Sequence, residues 1–133
     1  HIDPVTLRDI PVVGASAGSL SATLLKCGVN FYDATAFVVE QAGREKVYEK
    51  GSLLGIWGGL VREWLNAMIP DQVECSDLNL HITLTPLNPL RPTFLANDFH
   101  DKADLIEACM GSVHIPFFLD WKAYTKYRGR RYV

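Results

Sequence analysis

Long apolar runs are missing from this 133-residue chain. A helix that spans a bilayer needs about 20 consecutive apolar residues, and the longest charge-free stretch near the middle, Gly51 to Val61, falls far short. A basic segment followed by an apolar signal core is lacking too. Charge of one sign is scarce: 13 Lys and Arg stand against 15 Asp and Glu, a formal net charge of −2. Nucleic acid or an anionic membrane would meet no global attraction, so any such contact needs a local patch. Cysteine is limited to Cys27, Cys75 and Cys109, an odd set with no CxxC and no Cys/His ligand spacing. That argues against a disulfide framework or a structural metal and favours a reducing, intracellular setting. Repeats, low-complexity tracts and linkers are absent. The sequence opens at His1 rather than Met, so it reads as a processed product or a piece of a longer chain or assembly.

What is there belongs to an ordinary folded domain: 48% hydrophobic, 21% charged, 11% aromatic, at a length that can bury one core. Ile10 to Val13 is a short, partly β-branched run that breaks at Gly14, as a buried strand entering a tight turn would. Ala17 to Cys27 reads as a helix with Leu20, Leu24 and Leu25 at helical spacing and Gly28 as its C-terminal cap. Asp33 is placed to cap a second helix to about Lys50, with Phe37, Val38 and Val47 inward. Leu53 to Ile69 predicts a third, ended by Pro70. From Leu78 the period changes to two: Leu78, Leu80, Ile82 and Leu84 share one face, and Asn79, His81, Thr83 and Thr85 the other. Thr93 to Leu95 resumes extended structure. Asp101 caps a helix to Met110, and Trp121 to Val133 predicts a hairpin turning at Arg128-Gly129.

The chemistry concentrates at Gly14-Ala15-Ser16-Ala17-Gly18. This is a G-x-S-x-G sequence between a predicted strand and a predicted helix, the context in which the motif means a nucleophile elbow. At average glycine and serine usage, a chain this long holds the bare pattern by chance roughly once in 25 sequences. The flanking elements make chance a poorer account. A strained turn would lift the Ser16 hydroxyl above the sheet edge, while Gly14 and Gly18 let strand and helix pass closely. The Ala17 N–H, at the helix start, is the first candidate for an oxyanion donor. The competing account is a tight or phosphate-cradling βα turn, although no Lys follows in the P-loop pattern.

Two blocks carry a family resemblance. Val13-Gly-Ala-Ser-Ala-Gly-Ser-Leu20 resembles the elbow of patatin-like phospholipases, and Ala108-Cys-Met-Gly-Ser-Val-His-Ile-Pro-Phe-Phe118 resembles the helix end and Ile-Pro loop that follow it there. The resemblance covers nearly the whole chain. It implies a three-layer α/β/α domain with a central mixed, mainly parallel sheet, occupying residues 1–133 as a partial domain. It further implies a Ser–Asp dyad in which Ser16 attacks an acyl ester and an aspartate, rather than a histidine, is the base. In that family a strand like Arg130-Arg-Tyr-Val133 leads directly into Asp-Gly-Gly or Asp-Gly-Ala, so the base would be the residue after Val133. Tyr132 and Val133 should then lie in a strand ending near the Ser16 hydroxyl. The family's glycine-rich oxyanion loop has no counterpart in the fifteen residues before Ser16. This chain by itself should be nearly inactive.

Other residues compete for roles. Ser16 with Asp98 or Asp104 and His114 would satisfy Ser-Asp-His order. Asp120 reads as a turn or capping residue. Trp57 and Trp64 lie on a helix that is apolar nearly all round, which fits a buried core and also an interfacial element, and Gly55, Gly58 and Gly59 would make it pliable. Lys122, Lys126, Arg128, Arg130 and Arg131 among Trp121, Tyr124, Tyr127 and Tyr132 fit a hairpin with one solvated face, or headgroup contact, better than nucleic acid. The reading is a serine lipid acyl hydrolase, a phospholipase or esterase peripheral to membranes, with a lipid or acyl ester as partner. It needs no cofactor and no metal. The alternative is a non-catalytic structural or interaction subunit that keeps a degenerate form of this fold.

Overall fold

The computed structural model describes residues 4–49, 51 and 53–133. Its elements run α1 (Pro4–Asp9), β1 (Val12–Gly14), α2 (Ala17–Lys26), α3 (Phe31–Arg44), α4 (Trp57–Met68), β2 (Leu80–Leu84), β3 (Phe94–Ala96), α5 (Lys102–Ser112), β4 (Thr125–Tyr127) and β5 (Arg130–Tyr132). The fold is mixed α/β. β1, β2 and β3 form one sheet in that order, and β4 and β5 form a separate hairpin. β1 pairs parallel with β2, Gly14 opposite Ile82, and β3 pairs antiparallel with it. The sheet is therefore mixed, as expected, but among the described residues not mainly parallel.

The two-residue period sets the register of β2. Leu80, Ile82 and Leu84 are fully buried, while His81 and Thr83 are only half-buried. The buried row meets α2 and α5, which are tied to each other by a hydrogen bond between Thr23 Oγ1 and Cys109 Sγ, 3.2 Å. α5 comes close to the sheet because Gly111 has no side chain: a Cβ there would lie 2.3 Å from Leu84 Cδ2. α4 packs on α5, and α3 on α4. The opposite sheet face is open among the described residues. Val13 is 62% and Leu95 48% exposed on it. The second helical layer of the expected α/β/α stack is not present there.

Several boundaries differ from expectation for local reasons. Asn30, not Asp33, caps α3; its side chain accepts the Tyr32 N–H at 2.8 Å. Asp33 instead sits in the first turn, where a negative charge suits the helix dipole. α3 stops at Arg44 because Lys46 adopts a left-handed backbone, φ 50°, and Val47–Glu49 form a 3-10 turn. Lys50, the expected end, lies outside the described residues. Gly28 does follow α2 with φ 71°. Asp101 caps α5, accepting the Asp104 N–H at 2.8 Å. Arg128 and Gly129 both have positive φ, 45° and 75°, which matches the twist a two-residue hairpin turn requires.

α1 has no forerunner in the sequence reading. Its last carbonyls are held by Lys26, whose Nζ donates to Leu7, Arg8 and Ile10 oxygens at 3.0, 2.8 and 2.9 Å. Those are groups a helix end leaves unsatisfied, and a cation there also suits the dipole. Burial lowers the Lys26 pKa, against the pull of Asp9 and Asp77. Trp64 belongs to the packed side of α4, with its indole N–H donating to the Ala34 oxygen at 2.9 Å. Gly55 and Gly58 serve close packing rather than pliability: a Cβ on Gly55 would strike the Trp121 indole, and one on Gly58 would come 3.0 Å from the Leu119 oxygen. No helix among the described residues is long and apolar enough to cross a membrane.

Candidate active site

β1 ends at Gly14 and α2 begins at Ala17, so the reversal rests on Ala15 and Ser16. Ser16 takes it up with φ 50° and ψ −129°. A non-glycine residue in such a region costs on the order of 1–3 kcal/mol and persists only where its surroundings enforce it. The enforcing contacts are specific. The Ser16 N–H donates to Ser112 Oγ at the end of α5, 2.9 Å away. Its carbonyl accepts from the Ser19 N–H at 2.9 Å and from Ser19 Oγ at 2.6 Å. The Gly14 carbonyl accepts from Thr83 Oγ1 at 3.2 Å, which fastens the strand end to β2.

Every one of those contacts uses the Ser16 backbone or its neighbours. The hydroxyl makes no capping bond to α2, and the residue is exposed. Ala17, the first helical residue, is exposed too, and a first-turn N–H has no intrahelical acceptor. Gly14 and Gly18 are not equivalent, contrary to the expectation of close packing at both. A Cβ on Gly14 would lie 2.6 Å from Ser19 Cα and 2.8 Å from the Gly18 oxygen, whereas one on Gly18 would meet nothing within 4 Å.

The C-terminal strand approaches the same place. The Val12 N–H donates to the Asn79 oxygen, and the Val133 N–H to the Thr85 oxygen, both at 2.9 Å. β1 pairs along the β2 edge at His81, and Thr85 is an even number of residues beyond it, so the Thr85 carbonyl leaves that same edge. Val133 therefore occupies the position β1 would reach if it continued. Gly14 lies opposite Ile82, three residues before Thr85, which puts Val133 about 10 Å beyond Gly14 along the strand direction. β5 runs antiparallel to this part of the chain, with Tyr132 opposite Pro86, and so heads toward the Ser16 turn.

The Ser-Asp-His alternative is not assembled. Asp104 and His114 lie at opposite ends of α5, about 15 Å apart at the helical rise. Asp104 is committed to Arg128 Nη2 at 2.6 Å and to the His100 N–H at 3.0 Å. Burial would raise its carboxyl pKa, but the Arg128 and His100 hydrogen bonds outweigh that and hold it below the usual range. Asp98 sits at that same end, its carbonyl bonded to Arg128. His114 is buried at 6% exposure, with no partner for Nε2 among the described residues. Asp120 is a turn residue, accepting the Lys122 N–H at 3.3 Å and pairing with the Lys122 ammonium at the same distance.

The cysteines are free. Burial pushes the Cys27 and Cys109 thiols up to about 12 and raises that of Cys75 as well. None is a thiolate at neutral pH, so none resembles a nucleophile. No group of three or more potential metal ligands occurs among the described residues. Sequence reasoning missed Ser19 and Ser112 as the residues that hold the turn. Ser112 stands within the second resemblance block, but only the tertiary fold brings it to Ser16. Compared with known proteins, the chain matches no family model and no curated protein sequence.

Proposed function

We propose that this chain is the nucleophile-bearing part of a patatin-type serine acyl hydrolase acting on lipid or other acyl esters. The observation that carries the reading is the backbone of Ser16: a strained, exposed serine at a strand-to-helix turn, with its hydroxyl left uncommitted by the contacts that enforce the strain. Ser16 Oγ would attack the ester carbonyl carbon as its proton passes to a carboxylate delivered by the segment after Val133. The Ala17 N–H would stabilise the oxyanion. Collapse of the tetrahedral intermediate releases the alcohol and leaves an acyl-enzyme, which water hydrolyses to regenerate Ser16. An apolar cavity of about 210 Å³ between α2, α3 and α4 includes Leu20 and Trp64 in its wall and offers room for part of an acyl chain. Leu20 is one helical turn beyond Ser16. In the three-layer fold this reading implies, further chain covers the Val13 and Leu95 face.

The test is hydrolysis of a short-chain chromogenic ester by a polypeptide that continues past Val133. Loss of a general base or an oxyanion donor costs on the order of 10²–10⁴-fold, so that polypeptide should exceed its Ser16→Ala version by at least about 100-fold. Equal rates would refute the enzyme reading. One observation favours the non-catalytic alternative: neither the 660 Å³ cavity beside β5 nor the 620 Å³ cavity beside Lys26 has Ser16 in its wall. A fluorophosphonate probe separates the two, since it modifies only an activated Ser16.

A further inference from the structure

The cavity beside β5 has a volume of 660 Å³, and Arg91, Arg130 and Arg131 are among the residues that line it. Its apolar side is built from Pro86, Leu87 and Phe94. No Asp or Glu lines it. Among the described residues none of the three arginines is ion-paired with a carboxylate, whereas Arg44, Arg62 and Arg128 all are. A chain with net charge −2 thus places three arginines without a carboxylate partner around one groove. That arrangement repels itself, and a bound anion would relieve it.

Its walls are held in place. The Leu87 N–H donates to the Arg131 oxygen at 3.0 Å, and the Arg131 guanidinium lies 4.7 Å from the centre of the Tyr124 ring. Asn88 closes the loop, taking the Leu90 N–H on its side chain at 3.0 Å and the Arg91 N–H on its carbonyl at 3.1 Å. This projects Leu90, 92% exposed, from the loop that carries Arg91. An uncovered leucine beside unpaired arginines is the pattern of a segment that enters the headgroup boundary of a bilayer. The groove stands at the end of β2 and β5, the same end of the sheet at which the Ser16 turn lies.

We infer that this groove binds the phosphate of an anionic phospholipid headgroup at a membrane surface and selects against zwitterionic ones, whose ammonium would find no carboxylate in the lining. The inference rests on the lipid-ester reading for the class of molecule. Its test reads binding rather than turnover, so the two fail separately.

The chain is sedimented with vesicles of phosphatidylcholine alone and of phosphatidylcholine containing 30% phosphatidylglycerol, roughly the anionic content needed for a strong surface potential. It should pellet only with the second. An arginine near an anionic leaflet is worth about fivefold in partitioning, so Arg91→Ala with Arg130→Ala should weaken pelleting roughly 25-fold. Ser16→Ala and Arg44→Ala should leave it unchanged, and Leu90→Asp should weaken it with all three arginines present. Unaltered circular dichroism and thermal midpoints show that each variant is folded; if the double variant is not, Arg91→Ala alone should weaken pelleting about fivefold. Equal pelleting with both vesicle types, or an Arg44→Ala loss as large as that of the groove variants, overturns the inference. So does groove-dependent binding of inorganic phosphate without vesicle preference, which would make the ligand a free phosphate.

Discussion

Gly14→Ala should be among the most damaging single-methyl additions this chain can receive. The new Cβ would stand 2.6 Å from Ser19 Cα, 2.8 Å from the Gly18 oxygen and 2.9 Å from Ser19 N. All three are backbone atoms, so no side-chain rotation gives relief. Either β1 or the first turn of α2 must move, and the 2.6 Å bond from Ser19 Oγ to the Ser16 carbonyl is lost as it does. Overpacking costs about 1–3 kcal/mol and the hydrogen bond about 1 kcal/mol, for a total of roughly 2–4 kcal/mol. At this chain length the thermal midpoint should fall by roughly 6–15 °C. Gly18→Ala is the matched control, because its Cβ meets nothing within 4 Å and alanine is the better helix former by about 1 kcal/mol. Urea titration of both variants, compared at constant m, measures the difference. Equal losses, or a larger loss at Gly18, would mean that α2 does not press on β1 as described.

Asp104→Asn should cost about 1–2 kcal/mol at pH 7, as a largely shielded charge-assisted hydrogen bond to Arg128 would. The folded-state carboxyl pKa is depressed, so this contribution is complete above the ordinary value near ~3.9 and disappears as pH falls through the lower folded value. The stability curves of the wild type and of the Asp104→Asn variant should therefore converge in acid; a constant gap would refute the assignment. Cys109, fully buried and with its thiol pushed up to about 12, should resist a disulfide reagent at pH 8 until urea unfolds the chain, and rapid native modification would show an open core. Ser112→Ala, which removes the acceptor of the Ser16 N–H, should cost about 1 kcal/mol by urea titration. No loss would mean that the α5 end does not support the turn.

What was legible in the sequence was set by local physics. The alternation through Leu80, Ile82 and Leu84 identified the buried face of β2, Asp101 announced α5, and Gly129, tolerant of positive φ, marked the hairpin turn. The strand-to-helix turn at Ser16 could be placed because its flanks have different periods. What escaped depended on partners distant in the chain. α1 needs Lys26 at its end, and a lysine closing a leucine-rich helix gives no sign of three carbonyl acceptors. The inequality of Gly14 and Gly18 arises from the angle at which α2 crosses β1, which no spacing rule reveals. The open face of the sheet was hidden by the same alternation that identified β2, because His81 and Thr83 read as solvent-facing whether or not another layer covers them.

The hydrogen bond from Ser16 to Ser112 spans 96 residues of chain. Bringing together segments so far apart costs about 4 kcal/mol in loop-closure entropy before any contact compensates. β1 and α2 can gather early in synthesis, but the β2 edge that clamps Gly14 and the α5 end that holds the Ser16 amide are made much later. Until then the serine is free to relax to ordinary backbone angles. The exposed hydroxyl is thus presented only by a chain that has nearly finished folding, and a stalled or clipped N-terminal piece carries the same Gly-Ala-Ser-Ala-Gly letters without the geometry that gives them meaning.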